Sequence, residues 1–264
     1  MLTINDLMVA KCTTNPVDYT TANIGGAISA GPTFINGTSA NELFFPTDPN
    51  AAGGATLIQT NKFFVRNGSS TDTAYSCAIW IENALDDNPS NNNIKVVSDN
   101  ASDNSSYFAR IIGFNNSGNP VQIDVTMNGT TEVTTSSQIN TISRVESRAS
   151  SNEALTPTNG NWTIKNGTTV LGILPYGLRT ATTEYSILME AATNGSSTIA
   201  NTTANPTGTF FRPRTEAGAL AFYADLSHIS GPNAQPIWAR RTTPAATFGS
   251  ERVDLSFGIK ARVI

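Results

Sequence analysis

The chain has 264 residues, 39% of them hydrophobic and only 14% charged, with 16 basic and 20 acidic side chains and a net charge of −4. The charged share falls well short of the usual quarter or so. Asn, Thr, Ser and Gly take its place, residues that suit turns and exposed strand faces and are poor in helix interiors. The longest basic run is Arg240-Arg241, too little for a nucleic-acid footprint, and no stretch reaches the length of a membrane span; neither nucleic acid nor membrane is expected as a partner.

The N-terminus, Met1 to Met8, lacks the basic start and continuous apolar run of a signal peptide, so synthesis in a cytoplasm and a soluble product are expected. Leu2, Ile4 and Leu7 in the apolar stretch Leu2–Val9, and Leu43, Phe44 and Phe45 in the following loop, are candidate docking contacts, because exposed contiguous apolar residues usually mark interfaces. A place in the core is the equal alternative for both. Cys12 and Cys77 are far apart in sequence; a disulfide is possible but not implied, and two reduced, part-buried thiols are the preferred reading.

Short strands are expected at Lys62–Arg66, Tyr75–Glu82, Ile94–Ser98 and Tyr107–Phe114. Val121, Ile123, Val125 and Met127 then alternate with polar residues and run into Asn128-Gly129. That pattern reads as a half-buried strand entering a hairpin, with the return strand at Thr130 to Thr135. Asn-Gly recurs at 36, 67, 159, 166 and 194, and both residues tolerate the positive φ of a tight hairpin turn. A turn or two of helix is allowed within Asn140–Ala154. Further strands are expected at Trp162–Lys165, Thr169–Leu174, Tyr185–Glu190, Leu220–Asp225 and Pro236–Arg240. The clearest lies at the C-terminus, where Val253, Leu255, Phe257, Ile259, Ala261 and Val263 alternate with Asp254, Ser256, Gly258, Lys260 and Arg262. Short strands at close spacing predict an all-β fold, a β-sandwich of immunoglobulin-like or jelly-roll-like type. Loop-rich stretches suggest two modules, an outer sandwich of residues 1–106 plus 205–264 and an inserted β-rich module of residues 107–204.

Chemistry is sparse. The one histidine, His228, stands in Leu226-Ser227-His228-Ile229-Ser230 without a nucleophile motif, and reads as an ordinary loop or strand residue. One His and two distant Cys do not give zinc spacing. Asp86-Asp87-Asn88 and Asp99-Asn100 with Asp103-Asn104 carry oxygen ligands suited to calcium, but read better as turn formers. No catalytic, cofactor or metal residue is expected. Of the three tryptophans, Trp80 and Trp238 sit in strand patterns and read as core, which leaves Trp162, beside Asn161 and two Asn-Gly turns, as the exposed one and a candidate glycan contact with Tyr176.

Several segments carry a family likeness. Leu2-Thr3-Ile4-Asn5-Asp6-Leu7, Gly25-Gly26-Ala27-Ile28, Asn41-Glu42-Leu43-Phe44-Phe45-Pro46, Lys62 to Asn67, Cys77 to Ile81 and Gln235 to Ala245 resemble structural proteins of tailed-bacteriophage virions, which are often immunoglobulin-like sandwiches. Val125 to Thr131, Ile142 to Val145, Gly160 to Ile164 and Gly172 to Pro175 resemble parts of phage head or tail accessory proteins. The resemblance implies a non-catalytic virion protein made in the host cytoplasm, a capsid decoration or cement protein or a tail accessory. It implies contacts with phage capsid or tail proteins and with copies of itself in a closed homo-oligomer, a trimer being one candidate. A receptor- or glycan-binding module of the tail is the alternative.

Overall fold

The computed structural model describes residues 7–14, 25–28, 56–88, 90–190, 206–228, 233–245 and 253–262. Those residues are built from antiparallel strands with one short 3-10 turn, Glu216–Gly218. The all-β expectation holds, and the physical cause is the Thr, Val and Ile content set in alternating rather than helical spacing, with Asn and Gly at the turns.

The chain begins with β1 (Leu7–Thr14), β2 (Gly25–Ile28), β3 (Leu57–Asn67) and β4 (Tyr75–Ile81). It then makes a second unit from β5 (Asn92–Ser98), β6 (Tyr107–Phe114), β7 (Pro120–Thr126), β8 (Val133–Ile139), β9 (Thr141–Ala149), β10 (Trp162–Asn166), β11 (Thr169–Leu174) and β12 (Thr180–Thr182). It returns to the first unit with β13 (Tyr185–Met189), β14 (Leu220–Ala221), β15 (Ala234–Thr243) and β16 (Phe257–Arg262).

In the first unit a five-stranded sheet, β13-β15-β3-β1-β2, faces a three-stranded sheet, β14-β4-β16. Between them lie Phe63, Val65, Cys77, Ile79, Ile81, Ile187 and Ile237. The second unit packs β11-β10-β5-β8 against β12-β9-β6-β7, around Ile94, Val96, Ile111, Ile142, Val145, Trp162 and Ile164. In chain order, the strands of the second unit, β5 to β12, all lie between β4 and β13 of the first. Leu85 and β5 already belong to the second core, and β13 pairs with β15 in the first. The insertion therefore runs from about Leu85 to Thr182 rather than over 107–204. Loop composition misplaced the cuts because the true crossings are tight and partly buried, with Asn83 and Thr182 at 0% exposure.

Two local expectations are also corrected. Asn140–Ala154 holds no helix: Thr141–Ala149 is β9, paired with β6 and β12, since its Ile, Val and Ser fill the centre of a sheet. Asn128-Gly129 does form a turn, with Gly129 at φ 58° and Thr131 N–H donating to Asn128 O at 3.0 Å. However, β7 pairs with β6 and β8 pairs with β5 in the opposite sheet, so the turn carries the chain between sheets. A hairpin does join β10 to β11, but it turns at Gly167-Thr168: Asn166 pairs with Thr169 as the last residue of β10, and Gly167 alone takes the positive φ, 62°.

Candidate functional site

The largest concentration of buried charge lies at the seam between the two sandwiches. On β9, Arg144, Glu146 and Arg148 point away from the second core because they alternate with Val145, which packs inside it; a register shift between Ile142 and Arg144 lets Ile142 face the same core. Outward residues on a sheet are normally wet, yet Arg144 and Glu146 are buried, as is Glu184 just before β13. Glu146 accepts from Arg144 Nε and Arg148 Nε, each at 2.7 Å. Glu184 accepts from Arg241 Nε on β15 at 2.8 Å and stands 3.5 Å from Arg144 Nη1. One arginine of the inserted unit thus bridges a carboxylate of its own strand and a carboxylate that belongs with the outer unit.

The surrounding contacts are polar and equally specific. Asn83 Nδ2 donates to Thr180 O at 3.0 Å and to Asp254 O at 2.8 Å, while its Oδ1 accepts from Ser256 N–H at 3.0 Å. Asp254 accepts from Arg179 N–H at 2.7 Å. Arg214 donates to Leu171 O at 2.7 Å and pairs with Asp86, and Arg212 donates to Leu85 O at 3.2 Å and lies 3.6 Å from Asp87. Gly172 permits the crossing, since a Cβ there would stand 2.6 Å from Ala84 O. Breaking one partner of such buried charge leaves an uncompensated ion, which costs far more than an exposed pair is worth.

A second buried charge lies in the outer unit. The Lys62 ammonium sits 2.6 Å from Glu190 and about equally far from the rings of Phe64 and Trp238, 5.4 and 5.3 Å from their centroids. Burial pushes its pKa down, and Glu190 acts against that. Its sheet is covered on both faces there, so Asn61 to Val65 are buried without a break.

The residues singled out from the sequence distribute as follows. Leu2, Ile4, Leu43, Phe44 and Phe45 lie outside the described residues. Leu7 is half-buried and packs against the first core, so it helps hold the sandwich together. Trp162 is not exposed: it is 0% accessible, and its indole N–H donates to Asp103 at 2.7 Å. Asp103, itself buried, also accepts from Ser98 Oγ at 2.6 Å and Asn159 N–H at 2.9 Å. The acidic patches serve turns and ion pairs of this kind, and among the described residues no group of three His, Cys, Asp or Glu is placed to hold a metal ion. His228 Nδ1 shares a 3.0 Å hydrogen bond with Thr73 Oγ1. Cys12 and Cys77 are buried in separate clusters and are not joined. Tyr176 stands 70% exposed. Trp80, expected in the core, instead lies on the outer face of β4, half-buried and outside the core cluster. The alternation Cys77, Ile79, Ile81 inward already dictates this.

The seam network was missed from the sequence because Arg144, Glu146 and Glu184 look like solvated strand positions until a second unit covers them. Compared with protein-family models, with characterised proteins and with solved structures, the chain matches none.

Proposed function

We propose that this protein is a non-catalytic structural component of a tailed-phage virion, either a capsid decoration or cement protein or a tail accessory, acting through protein–protein contacts and through association with copies of itself. The observation that supports this reading is the seam. A sandwich inserted into a sandwich, tied at both crossings and through Arg144, Glu146, Glu184 and Arg241, behaves as one stiff body. Surfaces carried on one body keep a fixed relation to each other, so assembly through them costs little further ordering.

Mass spectrometry of purified particles, with heads and tails separated before digestion, tests the proposal. High copy number in the head fraction identifies a decoration or cement protein, and low copy number in the tail fraction a tail accessory. Absence from both fractions overturns the virion assignment.

A further inference from the structure

Of the three tryptophans, Trp162 and Trp238 are 0% exposed and Trp80 alone is half-buried. Its partner across the β4–β16 ladder is Gly258. A Cβ built on Gly258 would fall 2.0 to 2.5 Å from Cε2, Cζ2 and Nε1 of Trp80. The indole therefore occupies the space directly above the glycine, laid against the backbone of β16 where any other residue would displace it. With one face on the sheet, the ring is half-buried rather than enclosed.

The same outer row carries polar groups at both ends of the ring. Two residues on, just past the end of β4, Glu82 accepts from Ser256 Oγ at 2.8 Å. In the other direction Lys260 stands opposite Ala78, and its Nζ is 3.4 Å from the Glu216 carboxylate. Strand geometry sets the Cα atoms of Glu82 and of Ala78, the residue opposite Lys260, about 7 Å to either side of that of Trp80, with the small residues Ala78, Ala221 and Gly258 in the ladder around it.

We propose that this face is a carbohydrate-binding platform, in which a neutral pyranose stacks its C–H face on Trp80 and directs its hydroxyls to Glu82 and to the Lys260–Glu216 pair. A flat aromatic floor with hydrogen-bonding groups at both ends matches a ligand that is apolar on its face and polar around its rim. An apolar side chain from a protein partner would meet charge at either end. The formal sum of Glu82, Glu216 and Lys260 is −1, which disfavours an acidic sugar. The site goes beyond the virion reading and replaces Trp162 as the residue through which this chain would recognise a glycan.

The test uses the intact protein with cellotetraose and chitotetraose, followed by saturation-transfer NMR and by tryptophan emission. Saturable binding with a Kd on the order of 0.1–1 mM is expected. Trp80→Ala should weaken it at least about tenfold, Trp80→Phe should weaken it less, and Tyr176→Ala should leave it unchanged. If Trp80→Ala does not fold, Trp80→Phe decides, and unaltered affinity there overturns the site. No saturation transfer to either sugar at about 10 mM, or binding lost in Tyr176→Ala instead, also overturns it. Any of these failures leaves the particle-location test of the virion reading untouched.

Discussion

Asp103 shows how much one side chain can decide. Its carboxylate, 0% exposed, collects Trp162 Nε1–H, Ser98 Oγ–H and Asn159 N–H, so it fixes the largest aromatic of the second core and two loops at once. Asp103→Ala should cost about 3–5 kcal/mol, because several buried donors lose their acceptor together. Urea titration of the variant measures this, and Asp103→Asn, which keeps one acceptor, should lose less. Cys77 is held differently. Burial, and secondarily Asp225, pushes its thiol from 9.0 up to about 11. Between those values the unfolded chain ionises this thiol while the folded chain keeps it protonated. This thiol's contribution should therefore be constant below pH 9 and fall as pH rises through the window. Cys77→Ala should remove that part of the pH dependence in a series of denaturation midpoints, and the native thiol should resist maleimide at pH 8.

At the scale of elements, β9 does two jobs with its two faces. Val145 packs in the second core, while Arg144, paired with Glu146 of its own strand, reaches Glu184 beside the outer unit. Glu184→Ala removes the carboxylate to which Arg241 Nε donates and weakens the hold on Arg144, and a loss of about 3–5 kcal/mol is expected from breaking this buried pair. Replacing the pair together, Glu184→Leu with Arg241→Met, should cost less than the single change. Equal losses in the two variants, measured by thermal or urea unfolding, would contradict the account. The hairpin β10–β11 shows the opposite case, an element specified locally: Gly167-Thr168 supplies the turn, and Trp162, Ile164, Leu171 and Leu174 supply its buried face.

For the whole molecule, the seam predicts a single cooperative unit. Trp162 reports on the inserted sandwich and Trp238 on the outer one. In the unaltered protein, tryptophan emission and far-UV circular dichroism should follow a single transition with coincident midpoints in denaturant. Two resolved transitions would mean that the sandwiches are independent and would remove the rigidity on which the structural-protein reading leans.

By itself the sequence determined the fold class, the inward row of the C-terminal strand and the hairpin at Gly167, because strand alternation and turn chemistry act over a few residues and need no partner to be legible. It also contained the outward placement of Trp80, through the alternation of Cys77, Ile79 and Ile81. Only the tertiary structure decided which strands pair, that Asn128-Gly129 crosses between sheets, that the inserted unit runs from about Leu85 to Thr182, and that Trp162 is buried on Asp103. It alone joined Arg144 to Glu184 and Glu184 to Arg241. Such pairings depend on contacts between residues tens of positions apart, and a strand's local pattern carries no record of what will cover its outer face.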